Sequence, residues 1–123
     1  MSIRVTKFHH ANVTVPRSLE QAAKHFYGSI LGLKEIPKPE SSRARGGAWY
    51  EIGAVQLHLS REEVGDGSAS SRHLCVLVQG LAETRQHLVN AGVEIFPDER
   101  PIPGRARFYV RDPGGNLIEI AED

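Results

Sequence analysis

Four residues with metal-binding side chains stand at matching places in the two halves of this chain: His10 and His58 in the first, His73 and Glu119 in the second. Neutral imidazole nitrogen and carboxylate oxygen are the usual protein ligands of divalent zinc, nickel, cobalt, manganese and iron. Two His and one carboxylate that leave positions open make a working site, and a third His fills it further. A cation held this way chelates two neighbouring oxygens of a small molecule and stabilises the negative charge that develops on them. Taken singly, a His on a strand reads as a satisfied polar group. Placed together by a repeat, the four read as one ligand set. Gln56 lies on the same strand face as His58 and offers an amide oxygen as the alternative donor. Glu119 is the only carboxylate of the set, which makes it the candidate proton acceptor as well.

The repeat that relates them is visible in the residues. The first half opens with His10-Ala-Asn-Val-Thr-Val15, runs through a helical stretch to Leu31-Gly-Leu33 and closes on Leu57-His-Leu59. The second opens with His73-Leu-Cys-Val-Leu-Val78, runs to Ala91-Gly-Val93 and closes on Ile118-Glu-Ile120. Openings and closings are offset by about sixty residues, a length at which one supersecondary unit is duplicated. Such a duplication, packed about a pseudo-two-fold axis, can bring the four residues to one place. A second repeated pair is Arg43-Ala-Arg45 and Arg105-Ala-Arg107, ahead of Trp49-Tyr50 and Phe108-Tyr109. These arginines read either as a clamp for a carboxylate or phosphate on a substrate or as solvated loop residues.

The elements follow from periodicity. Lys7 to Val15 alternates and is rich in β-branched residues, which predicts a strand with His10, Asn12 and Thr14 on one face and His9 on the other. Pro16 ends it. Ser18 with Gln21 has the spacing of a capping box, and Leu19, Ala22, Ala23, Phe26 and Ile30 recur as a helical stripe up to Gly32. Leu33–Ile36 is a short strand, 40–47 a loop, and Trp49–Ile52 with Val55–Ser60 a hairpin around Gly53-Ala54. Residues 62–71 are polar and turn-rich and read as the connector. The second half repeats the order: strand His73–Val78, helix Leu81–Ala91, strand Val93–Phe96, a Pro-interrupted loop over 98–104, then strands Arg107–Val110 and Asn116–Ala121. The last two are joined by Asp112-Pro-Gly-Gly115, with Pro113 and then Gly114 at the central turn positions. Each half is strand, helix, then three strands. Module one spans about residues 5–60 and module two about 72–122 of a single 1–123 domain.

Composition narrows the partners. Fifteen basic and fifteen acidic residues cancel, which argues against nonspecific nucleic-acid or anionic-membrane binding. No apolar run approaches the ~18 residues of a membrane span, and the first residues lack a signal-peptide core. The single Cys75 cannot form an internal disulfide, and one thiol without a framework suits a reducing, cytoplasmic setting. Arg greatly outnumbers Lys, and its fork suits an anionic small molecule.

Four segments together resemble a known family. They are His10-x-x-Val-x-Val, Phe26-Tyr-x4-Leu-Gly-Leu33, His73-x-x-Val-x-Val and Arg111-Asp-Pro-x-Gly-Asn-x-Ile-Glu119. In order and spacing they are similar to the vicinal oxygen chelate superfamily, the glyoxalase, bleomycin-resistance and extradiol-dioxygenase group, over essentially the whole chain. The resemblance implies an α+β fold of paired βαβββ modules, forming a cupped, barrel-like mixed sheet with helices outside. It implies one divalent metal ion per site, held at His10, His58, His73 and Glu119. His58 departs from the glyoxalase branch, which usually has Glu or Gln there. The implied function is a lyase or isomerase acting on a small substrate with vicinal oxygens. The alternatives are a fosfomycin-type thiol transferase and a non-enzymatic, bleomycin-type drug-binding protein, which needs no His and Glu cluster. Members often share sites between two chains, which implies a homodimer.

Overall fold

The computed structural model describes residues 2–63 and 70–123. The chain forms two compact units, Met1–Glu63 and Val64–Asp123, so the expected connector over 62–71 falls largely outside the described residues. The class is α+β, as expected, with a mixed sheet in each unit.

In the first unit strand β1 (His10–Val15) lies parallel to β4 (Val55–Arg61), which pairs antiparallel with β3 (Ala48–Ile52), and β3 with β2 (Lys34–Ile36). Alternation sorts the sheet into two faces. Val13, Val15, Ala48, Tyr50, Leu57 and Leu59 are buried on one. The register places His10 opposite Gln56, Asn12 opposite His58, and Trp49 opposite His58 on the other.

The helical stretch is less regular than its stripe predicts. A 3₁₀ turn over Arg17–Leu19 leads into α1 (Glu20–His25), and a π-helical turn over Phe26–Ile30 follows. No side chain caps the start. The expected capping box fails because Ser18 sits inside the 3₁₀ turn rather than before the helix. Leu19 and Ala22 are exposed, while Ala23, Phe26 and Tyr27 are buried. The wider π turn, closed by the Leu31 N–H on the Phe26 carbonyl at 2.9 Å, lets the adjacent Phe26 and Tyr27 both turn inward. Their rings meet edge to face at 5.0 Å, and Tyr27 reaches the Tyr50 ring at 6.1 Å.

Glu20 anchors this helix in a way its exposed-looking sequence position hides. Only 9% of it is accessible. Its Oε2 accepts the Gly47 N–H at 2.5 Å, and Arg61 stands 3.8 Å from Oε1. The 40–47 segment is not all loop, since α2 (Glu40–Arg43) forms a short helical turn within it.

The second unit has β5 (His73–Val78) parallel to β7 (Leu117–Glu122), and β7 antiparallel to β6 (Arg107–Arg111). Helix α3 (Leu81–Asn90) buries Leu88 on the face that also buries Phe108, Val110, Ile118 and Ile120. Gly80 precedes α3 and Gly92 follows it at φ 82°. Ala91, expected as the last helical residue, is the exposed C-cap of α3. The expected strand Val93–Phe96 shrinks to one bridge, Phe96 with Tyr109. The β6–β7 turn is built around Asp112. Its carboxylate is 4% exposed and accepts from the Gly114 and Asn116 N–H groups at 2.9 Å. Gly115, not Gly114, takes the positive φ, so the turn has type I rather than type II character. Among the described residues, no helix is long and apolar enough to cross a membrane.

Candidate metal centre

The two sheets place their polar residues by the same rule. In the first unit His10 lies two residues before Asn12, the partner of His58. In the second His73 lies two residues before Cys75, the partner of Glu119. His58 and Glu119 are therefore repeat equivalents, and the counterpart of Gln56 is Leu117. Each unit presents one exposed His at the start of its first strand and one buried ligand-type side chain in the middle of its last. His58 is 7% exposed and Glu119 4%.

His58 sits in an aromatic stack. The Trp49 ring lies parallel to it at 3.9 Å, and the His10 ring lies on its other side at 4.1 Å and 17°. Burial, followed by the neighbouring His10 and His9, pulls its pKa below the ordinary imidazole value. It is therefore neutral at pH 7, as a ligand must be. Gln56 Oε1 lies 2.8 Å from His58 Nε2. An oxygen only accepts, so Nε2 carries the proton and Nδ1 the lone pair. The two alternative donors thus hold each other. Stacked rings direct their in-plane lone pairs along nearly parallel lines, so His10 must leave the stack to share an ion with His58. His10 is exposed and has room to turn. His9 does not keep to the opposite side: its Nδ1 lies 2.9 Å from that of His10.

In the second unit the His73 imidazole and the Glu119 carboxylate meet directly. His73 Nε2 stands 3.2 Å from Glu119 Oε1. Two donors each about 2.0–2.2 Å from one ion stand about 3.0–3.5 Å apart. The other oxygen of Glu119 faces two guanidinium groups, Arg105 at 3.4 Å and Arg107 at 3.5 Å. The Tyr109 hydroxyl lies 3.5 Å from Oε1. Burial pushes the carboxyl up, but the Cys75 thiol, Arg107 and Arg105 outweigh it and hold it below the usual carboxylate value. Glu119 is accordingly a permanent anion at neutral pH, which suits a ligand better than a base. Burial and Glu119 raise the Cys75 thiol, so it stays protonated. Among the described residues, no group of three or more His, Cys, Asp or Glu side chains converges within one cluster. By donor chemistry each unit offers two residues of metal-binding type, His10 and His58 in the first and His73 and Glu119 in the second.

The four arginines diverge despite their matching sequence. Arg43 ends α2 and donates to the Lys38 carbonyl at 3.0 Å, and Arg45 is exposed. Arg107 is committed: it pairs with Asp98 at 2.9 Å, donates to the Arg100 carbonyl at 3.0 Å and touches Glu119. Arg105, about half exposed, bridges Glu119 and the Cys75 sulfur. Tyr109, Cys75 and Trp49 also line the candidate residues, although their types do not single them out in the sequence. Strand alternation alone would have put each on the face of its candidate ligand.

The glyoxalase/bleomycin resistance protein/dioxygenase family model matches residues 7–120. The chain belongs to this superfamily. Its structural relatives agree. A protein of Bacillus anthracis assigned to the glyoxalase family is 36% identical with a TM-score of 0.88, the match covering 100% of this chain and 99% of that one. A glyoxalase/dioxygenase from Nostoc punctiforme is 23% identical at TM-score 0.78, covering 99% of each chain. A lactoylglutathione lyase from Agrobacterium tumefaciens is 18% identical at 0.72, covering 96% of this chain and 94% of that one. At these last two identities the likeness is one of fold. None of the curated proteins compared with this superfamily member matches it.

Proposed function

We propose that this superfamily member is a metal-dependent lyase or isomerase acting on a small substrate with vicinal oxygens. His10, His58, His73 and Glu119 are its ligands for one divalent ion. The observation that carries this reading is the His73–Glu119 pair, with donor atoms 3.2 Å apart on a carboxylate whose second oxygen is held by arginines. The ion, when bound, supplies Lewis-acid charge to two neighbouring substrate oxygens. Arg107, locked by Asp98, keeps Glu119 ionised and fixed in direction. Trp49 and Gln56 hold the His58 ring in place and in one tautomer. Arg105, about half exposed, is the second cation beside Glu119. If Glu119 also moves a proton, Arg105 must move away first to raise its basicity.

Calorimetric titration with zinc, nickel, cobalt and manganese tests the metal. One ion per site binding at micromolar or tighter concentration is expected. Trp49 is the only tryptophan and stacks on His58, so its emission should change with the same stoichiometry. No binding by any of these ions would remove the enzyme reading and favour a drug-sequestering protein.

We also propose a homodimer, since each unit supplies only half of the ligand set and superfamily members often dimerise. Sedimentation equilibrium at micromolar protein should give twice the 13.6 kDa chain mass. A single 13.6 kDa species would sink the dimer and require the site to form within one chain.

A further inference from the structure

One groove of the second unit starts at His73 and runs on to Leu117 and Arg111, to which the reading so far gives no role. It encloses about 810 Å³ beside the polar face of β5, β7 and β6, and its lining includes His73, Phe96, Arg100, Tyr109, Arg111 and Leu117. That volume is in the range of small-molecule sites. Phe96 is tied to the sheet through reciprocal backbone hydrogen bonds with Tyr109, at 2.8 and 2.9 Å, so this wall is fixed.

The register sets a row across the floor: His73 opposite Leu117, and Leu117 opposite Arg111. Two strand spacings separate His73 from Arg111, about 10 Å. A candidate ligand thus stands at one end, an apolar side chain in the middle and a guanidinium at the other end. The charge balance of the lining favours an anion. Asp98 is consumed by Arg107, which leaves Arg100 and Arg111 against Glu99. Arg111 is held but not used up. Its Nη1 donates to the Gly115 carbonyl at 2.8 Å, inside the turn that the buried Asp112 organises. A guanidinium pinned by one hydrogen bond presents its remaining N–H groups in a fixed plane, which matches the two oxygens of a carboxylate.

We infer that this groove binds the substrate, and that the substrate is a small carboxylate with an aromatic or branched apolar body. The carboxylate sits on Arg111, the body lies over Leu117 between Phe96 and Tyr109, and a further oxygen points toward His73 and Glu119. The last part rests on the metal reading above; the Arg111 subsite does not. Arg111, rather than the repeated arginines, is then the residue that selects for negative charge.

The test uses the full chain, both chelator-treated and zinc-loaded. Benzoate, phenylacetate, mandelate and phenylpyruvate are titrated by calorimetry and by ¹H–¹⁵N shift changes, each beside its uncharged methyl ester. At least one acid is expected to bind the chelator-treated protein, with its ester at least about tenfold weaker. Arg111→Gln should weaken that acid by about ten- to a hundredfold, the range for a lost charge-assisted contact, and leave zinc affinity unchanged. Arg111→Gln also removes the bond to Gly115, so the acid–ester comparison on the unmodified chain stands as the independent arm. Three results would overturn the inference: no acid binding below about 10 mM, about −3 kcal/mol; equal binding of acid and ester; or full affinity in Arg111→Gln. Tighter binding of phenyl phosphate than of every carboxylate would overturn the carboxylate assignment. Failure to bind zinc with intact Arg111-dependent acid binding would refute the metal reading alone.

Discussion

Glu119→Gln is expected to lower zinc affinity by about a hundredfold or more. Loss of a mere outer-shell partner of a metal ligand costs about 10–100-fold, so a direct ligand should lie at or beyond the upper end. An amide oxygen keeps the shape but not the charge, and it leaves Arg105 facing a neutral group. The two roles given to Glu119 separate in this variant. As a ligand only, metal affinity and turnover fall together. As a base that can leave the ion, turnover falls by about 10²–10⁴-fold while much of the metal stays bound. The arginine pair and the lowered pKa make the first outcome the expected one. His73→Ala is the companion, losing an imidazole donor outright. Calorimetric titration reads both variants without any known substrate. If Glu119→Gln binds zinc as the parent does, Glu119 is not a ligand, and His58 with Gln56 becomes the pair to examine.

The second large effect concerns the support of His58 rather than its chemistry. Gly47→Ala should destabilise the first unit by about 2–5 kcal/mol. Gly47 is buried at φ 75°, and a Cβ there would lie 2.0 Å from the Leu59 carbonyl oxygen. The left-handed backbone alone costs a side chain about 1–2 kcal/mol, and overpacking against rigid backbone about 1–3 more. Relief would require β3 to move off β4, next to the Trp49–His58 pair. Gly53→Ala is the control. Its φ is 55°, but nothing lies within 4 Å of the added Cβ, so only the backbone term applies. Thermal unfolding should show a drop of more than about 10 °C for Gly47→Ala and a few degrees for Gly53→Ala. Equal shifts would mean that Gly47 is not pressed against Leu59.

Much of this was legible in the residues. Two hairpins, two opening strands and two helical stretches follow from alternation, from Gly53-Ala54 and from the turn beginning at Asp112. These signals are local, and each unit's apolar face enforces them. The repeat paired His10 with His73 and preferred His58 to Gln56, because duplicated strands carry equivalent positions in equivalent register. The motifs pointed to the superfamily because their order spans both halves.

Other features depend on groups far apart in the chain. Nothing local marks Glu20 as buried; its Gly47 and Arg61 partners come from segments that fold back onto the helix. Ser18 has cap chemistry, yet only packing decides that a 3₁₀ turn precedes the α-helix. Arg105 and Arg107 look equivalent to Arg43 and Arg45 in sequence. Charge pairing separates them, since Asp98 and Glu119 lie near one pair and not the other. The stack of Trp49, His58 and His10 and the row from His73 to Arg111 are likewise products of strand register. Sequence determined which residue types are on offer, and at which faces. Tertiary structure decided which partners neutralise, bury or orient them, because charge and burial depend on distance in space.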